Sequence, residues 1–480
     1  MERASGVLMH ITSLPGKYGA GVFGKEAKYF IDFLADSGFK YWQTLPLVMT
    51  DECNSPYKSY SAFAGNPYFV DPETLCSDGL LTENELSGAA VTDEYRCDYE
   101  KLNRERKTLL ANAASRADKT LRKKTERFIS ENPEIEKFCV FMARKAANGE
   151  KPWYDWTCDK PDADELFLWQ FIQYEFFTQW SDIKKYANEK GIKIIGDIPI
   201  YVAYDSCDVW ANPEQFDLDK NKYPANVAGC PPDYFSRDGQ LWGNPLYNWS
   251  YMKKDGYGWW IKRMEHTFNM FDGVRIDHFR AFDSYYAIDS KARDAREGKW
   301  KKGPGRDFIR TLRKLSENKL VIAEDLGDIT DSVRDLVNYS TFPGMRVFQF
   351  AFLGDPNSPH LPHNYIPNSV AYSGTHDNNT LLGYIWELED GLRRRVLDYC
   401  GFEGENWDCK SAYDSVIKTL LRSSSDLVIF PLQDILHYGS DTRMNIPGNP
   451  EGNWRFRVTK QQLESINREE LFYLNRLYGR

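Results

Sequence analysis

Short apolar runs rich in β-branched and aromatic residues recur along the chain, and between them the apolar positions fall three and four apart. Residues 7–11, 41–47, 192–202, 273–279, 320–326, 345–350, 369–373 and 426–431 read as eight strands. Helical spacing marks 25–37, 164–190, 257–271, 307–316 and 331–339. In the first of these Phe30, Phe33 and Leu34 share a face, and Gly38 stands just past the end as a stop signal. Eight strands alternating with helices predict an α/β fold, a closed parallel (β/α)8 or TIM barrel. An open doubly wound sheet is the alternative, but no Gly-x-Gly-x-x-Gly turn follows the first strand.

The spacing between strands is uneven. Residues 1–480 read as one catalytic barrel with large insertions at the C-terminal face of the strands, near 50–165, 203–250 and 385–415. The first insertion begins loop-like, rich in Ser, Pro, Asn and Gly, and becomes charged and helical over 95–144. That helical part has two readings: a lid or partner surface, or a packed insertion with one solvated face.

Composition narrows the function. With 61 Lys and Arg against 70 Asp and Glu, the net charge of −9 argues against nucleic acid as partner. No apolar run approaches the ~20 residues that span a bilayer, and no secretory signal opens the chain. Nine cysteines without a C-x-x-C pair suit reduced thiols in a cytoplasmic protein. Aromatic residues reach 15%, a first hint of a surface that stacks sugar rings.

Catalytic groups of such barrels sit at the C-terminal ends of strands, and here those ends are acidic: Asp197, Asp277, Glu324 and Asp377. One Asp after a strand is an ordinary turn former or helix cap. Four carboxylates at one mouth are costly to gather without a function. A divalent metal site is one chemistry for them, but His-x-x-x-His and EF-hand spacings are missing, and His278 and His376 each directly adjoin an Asp. Glycosidic-bond cleavage is the other, and it needs one carboxylate as nucleophile and one carboxyl as proton donor. Arg275 precedes Asp277 by two residues, so in a strand both project to one face and the guanidinium keeps Asp277 ionised. Glu324 lies on the next strand, where a raised pKa makes it the proton donor.

These segments resemble a known family. Gly196-Asp197-Ile198-Pro199, Arg275-Ile276-Asp277-His278-Phe279-Arg280, Ala323-Glu324-Asp325-Leu326-Gly327 and Thr375-His376-Asp377-Asn378 are similar to the strand-end motifs of the 4-α-glucanotransferases, or amylomaltases. That family belongs to the α-amylase clan of retaining glycosidases. Ser55-Pro56-Tyr57, the loop around Asp233 and Trp242, and Arg443-Met444-Asn445 with Gly452-Asn453-Trp454 extend the resemblance nearly end to end. It implies Asp277 as nucleophile, Glu324 as general acid/base and Asp377 as the carboxylate that grips the donor sugar. It implies Asp197, Arg275, His278 and His376 in the donor subsite, and Tyr57, Asp233 and Trp242 lining acceptor subsites.

Ala281, Tyr286 and Cys230 depart from the family pattern near the site, and bear on chain-length preference rather than on the reaction. The activity implied is retaining transfer of α-1,4-glucan segments between maltooligosaccharides or linear α-1,4-glucans, without cofactor or metal. The rivals are a hydrolase with the same carboxylates and an inactive glucan-binding protein.

Overall fold

Ala4–Leu8 forms a strand whose five residues are all buried, as expected of a strand covered on both faces. The structure is a computed structural model and describes residues 2–50, 53–232, 237–449 and 451–480. In chain order its strands are β1 (Ala4–Leu8), β2 (Tyr41–Gln43), β3 (Lys193–Ile198), β4 (Asn226–Cys230), β5 (Gln240–Pro245) and β6 (Gly273–Ile276). They continue with β7 (Ser284–Asp289), β8 (Lys299–Lys302), β9 (Leu320–Ala323), β10 (Gly344–Val347), β11 (Ser369–Tyr372) and β12 (Leu427–Pro431). Eight of them close into a barrel in the order β1-β12-β11-β10-β9-β6-β3-β2, every pair parallel. Closure leaves no barrel edge unpaired. This is the (β/α)8 barrel expected from the alternation of strands and helices.

The strands stop earlier than the apolar runs. The run 192–202 pairs only to Ile198, yet Ile200, Tyr201 and Val202 remain buried. The run 273–279 ends as a strand at Ile276, and Phe279 begins a 3-10 turn while fully buried. Burial of the strand-end loops, rather than pairing, extends the apolar pattern there. At the first run the pairing shifts to Ala4–Leu8, and Ile11–Ser13 coils into a 3-10 turn.

A second sheet has the order β5-β4-β7-β8 and is antiparallel. The sequence pattern does not reveal it. Its edge strand β8 reads Lys-Trp-Lys-Lys, with little apolar alternation to detect.

Residues 95–144 contain the expected helices, Tyr99–Ser115, Lys119–Glu131 and most of Pro133–Ala147. They bury Leu102, Leu109, Leu110, Phe138 and Phe141 against the rest of the core, the packed-insertion arrangement. The 27-residue helix Ala163–Glu189, about 40 Å long at 1.5 Å per residue, is the strut of this region. Its Gln173 accepts from the Gly65 N–H at 2.8 Å and donates to the Gly65 carbonyl at 2.9 Å, and Gln179 accepts from the Asp71 N–H at 2.7 Å. Gly65 packs so tightly here that a Cβ would lie 2.2 Å from the Phe176 ring. These contacts anchor the far end of the loop that carries Tyr57. Among the described residues no helix is long and apolar enough to cross a membrane, and none of the nine cysteines forms a disulfide.

Candidate active site

The register of the barrel explains why the acidic strand ends meet. Asp197 on β3 pairs with Arg275 on β6, and Ile276 pairs with Ala323 on β9. Asp277 and Glu324 therefore each stand one residue beyond a paired position on adjacent strands. Side chains alternate along a strand, so Arg275 and Asp277 project the same way.

Arg275 holds two carboxylates at once. Its Nη1 donates to Asp197 Oδ2 and its Nη2 to Asp277 Oδ1, each at 2.7 Å. The Arg275 and Asp197 side chains are 5% and 0% exposed, whereas Asp277 keeps 28%, so Asp277 is the carboxylate that faces the opening. Tyr57 donates its hydroxyl to the same Asp197 Oδ2 at 2.7 Å. Burial raises the proton affinity of Asp197, and Arg275 and the Tyr57 hydroxyl oppose that rise. Asp197 Oδ1 is buried and has no hydrogen-bond partner among the described residues.

Glu324 has different surroundings. Its Oε2 accepts from the His278 N–H at 2.6 Å and its Oε1 from the Leu326 N–H at 2.7 Å. The first bond requires the left-handed backbone of His278, φ 50°, which turns the chain just after Asp277. Burial pushes the Glu324 carboxyl up to about 7; the charge of Asp277 adds to this, and Arg275 and the two N–H donors act against it. The barrel thus holds, side by side, a carboxylate hydrogen-bonded to a guanidinium and a buried carboxyl that keeps its proton near neutrality.

Asp377 is held from the C-terminal segment. Asn445 Nδ2 donates to Asp377 Oδ1 at 2.6 Å, and Arg443 Nη2 donates to the Asp377 carbonyl at 2.6 Å. The Asn445 N–H donates to the His376 carbonyl at 3.0 Å, so one short segment fixes both residues. The Arg443-Met444-Asn445 motif is visible in the sequence, but this positioning of Asp377 is not read from it.

His376 stacks nearly parallel on Tyr57, with centroids 5.0 Å apart and planes 9° apart, and Trp454 tilts against both rings. Tyr57 therefore joins Asp197 and His376, the residues expected on the donor side. Trp242 packs edge-on to His278 at 5.1 Å, and its Nε1 donates to Gln240. Burial lowers His278 to about 4, leaving a neutral imidazole whose buried Nε2 has no partner among the described residues. Asp233 lies outside the described residues. Among the described residues no three His, Cys, Asp or Glu side chains are grouped to hold a metal ion.

A closed parallel barrel that gathers paired carboxylates, an arginine and aromatic rings at its strand ends is the architecture of a barrel enzyme with acid–base chemistry. Residues 9–463 match glycoside hydrolase family 77, 4-alpha-glucanotransferase. The 4-alpha-glucanotransferase of Streptococcus pneumoniae serotype 4 is 42% identical over 505 aligned positions, covering 100% of this chain and 98% of that one. That of Thermus thermophilus is 39% identical and covers 96% of each. Amylomaltase from Streptococcus agalactiae, solved in complex with acarbose, superposes with a TM-score of 0.94 at 37% identity, over 100% of this chain and 99% of that one. Amylomaltase from Corynebacterium glutamicum shares the fold at 17% identity, with a TM-score of 0.83 over 100% of this chain and 75% of that one. The chain belongs to glycoside hydrolase family 77, the 4-alpha-glucanotransferases. Its activity is the transfer of α-1,4-glucan segments.

Proposed function

We propose that this activity is carried by Asp277, Glu324 and Asp377, acting on maltooligosaccharides and linear α-1,4-glucans by double displacement. The observation that carries the assignment is the contrast between the two neighbouring carboxylates, Asp277 hydrogen-bonded to Arg275 and Glu324 buried with its proton held to about 7. In the first step Asp277 Oδ2, the oxygen not engaged by Arg275, attacks the anomeric carbon. The bond from that carbon to the leaving glucan oxygen breaks, and Glu324 delivers its proton to that oxygen. The product is a glucosyl ester on Asp277.

In the second step the 4-hydroxyl of another glucan loses its proton to the Glu324 carboxylate and attacks the same carbon, and Asp277 departs. Two inversions retain the α configuration. Asp377, with Oδ1 held by Asn445, offers its remaining oxygen to hydroxyls of the donor sugar. Asp197, Arg275, His278 and His376 surround that sugar, and Tyr57 positions Asp197 and His376. Trp242 borders the acceptor, the role the family resemblance also gives to Asp233. The buried, neutral His278 suits a group that hydrogen-bonds a sugar without adding charge.

Glucan binding is supported by the acarbose complex of the Streptococcus agalactiae amylomaltase. The insertions 50–165 and 203–250 serve as walls of one catalytic unit, and nine cysteines without a disulfide suit a reducing, cytoplasmic setting. A pre-positioned sugar hydroxyl has a large effective concentration over random solvent, which favours transfer over hydrolysis. Incubation with maltotriose tests this directly. Glucose and a ladder of longer glucans should form while total reducing ends stay nearly constant. Reducing ends that climb in step with glucose would overturn the transfer reading.

A further inference from the structure

A second group of aromatic rings lies outside the site described above. Tyr154 and Tyr204 stack with centroids 4.8 Å apart and planes 13° apart. Tyr223, 47% exposed, tilts against them at 5.9 and 6.4 Å with angles of 55° and 51°, so the three rings form a corner at the surface. The corner is built on a rigid base. The Tyr204 hydroxyl donates to the Lys222 carbonyl at 2.7 Å, and Trp153 Nε1 donates to the Tyr204 carbonyl at 2.8 Å. Asp205 accepts from the Trp153 N–H at 3.1 Å and from the buried Lys145 at 2.5 Å. Asp219 accepts from the Tyr223 N–H at 3.0 Å and so fixes the turn that presents this ring.

Hydrophobic burial does not account for the arrangement, because the most exposed ring is the one that completes the corner. Polar groups flank it: the carboxylates of Asp155 and Asp219 act on the Tyr204 phenol, and Lys58 acts on that of Tyr154. Flat rings beside carboxylates and an ammonium match a pyranose, which presents C–H faces to the rings and hydroxyls to the polar groups.

The corner is tied to the active site through a short stretch of chain. Ring contacts run from His278 to Trp242 at 5.1 Å and from Trp242 to Tyr201 at 6.2 Å. Tyr204 follows three residues after Tyr201, a span of at most about 11 Å of chain. On the other flank Lys58 directly follows Tyr57.

We propose that Tyr154, Tyr204 and Tyr223 form an outlying subsite that binds the distal sugars of a long α-1,4-glucan whose near end occupies the active site. The proposal rests on the glucan reading of that site. Its signature is selectivity for chain length, since short glucans engage the carboxylate region without spanning to the corner.

The test compares maltotriose with maltoheptaose as substrates for the unmutated protein, Tyr223→Ala and Tyr223→Phe, each checked for an unchanged melting curve. Tyr223→Ala should raise KM for maltoheptaose three- to tenfold, with KM and kcat for maltotriose changed less than twofold. Tyr223→Phe, which keeps the ring, should restore the maltoheptaose KM. Equal losses on both substrates, or no loss on either, would overturn the subsite, as would Tyr223→Phe behaving like Tyr223→Ala. As a second measurement on the unmutated protein, maltoheptaose but not maltotriose should protect Tyr223 from nitration, and equal protection by both would also overturn it. If the unmutated protein fails to transfer from maltotriose, the glucan reading itself has failed, a result distinct from the others.

Discussion

Arg275 Nη2 donates to Asp277 Oδ1 at 2.7 Å, a bond between two side chains two positions apart on β6 and its extension. The bond orients one oxygen of Asp277 and leaves the other open. Asp277→Asn keeps the shape and removes the proposed nucleophile, so transfer should fall by more than about 10⁴-fold, as expected when a covalent step is lost. Mass spectrometry after trapping with a fluorinated glucosyl donor should find the label on Asp277. A label on Asp377 or Asp197 would reassign the nucleophile.

The proton of Glu324 gives a pH signature. In the proposed mechanism cleavage needs the protonated carboxyl, so the rate of the first step should fall as pH rises through about 7. Because folding raises this pKa above its ordinary value near 4.3, the group's contribution to stability is full below about 4 and is lost as pH rises through about 7. Glu324→Gln should abolish the alkaline limb and cripple cleavage of glucans. Glucosyl fluorides, whose leaving group needs no proton, should still form the ester. Equal loss on both donor types would show that Glu324 does not transfer a proton.

Asn445 reaches Asp377 from 68 positions away along the chain. Hydrogen bonds to charged groups contribute about 1.5–3 kcal/mol, so Asn445→Ala should lower kcat/KM on maltotriose about 10- to 100-fold with the melting curve nearly unchanged. Asn445→Asp, which sets a second carboxylate against Asp377, should cost more. Asn445→Asp as active as the unmutated protein would exclude the positioning role.

The loop bearing Tyr57 depends on Gly65. A methyl at this position meets three carbons of the Phe176 ring within 2.3 Å, and overpacking of this kind costs about 1–3 kcal/mol. Gly65→Ala should therefore lower the denaturant midpoint. The double variant with Phe176→Leu should recover part of the loss, a coupling that independent sites do not show. Additive effects would place the strain elsewhere.

The eight barrel strands are legible in the sequence because both faces of each are covered, which turns them into continuous apolar runs such as Leu427–Pro431. Their C-terminal limits are not, since Ile200 and Phe279 are buried by loop packing and prolong the signal past the last paired residue. Asp197, Arg275, Asp277 and Glu324 are legible as a group because strand ends in a barrel converge and a spacing of two sets a common face. The hold of Asn445 on Asp377 is hidden for the opposite reason: it joins a loop after β11 to a segment beyond β12, and local periodicity carries no trace of such a contact. The same holds for β7 and β8, whose pairing is decided by tertiary context rather than by an alternating pattern.

Asp197 is shut off from solvent, with Oδ2 taken by Arg275 and Tyr57 and Oδ1 without a partner among the described residues. A carboxylate stripped of water is costly alone, so its charge commits the guanidinium and the phenol to one orientation. The mouth of the barrel is thus braced from behind. A residue that never meets solvent sets how firmly the Arg275 fork, and through it Asp277, keeps its aim.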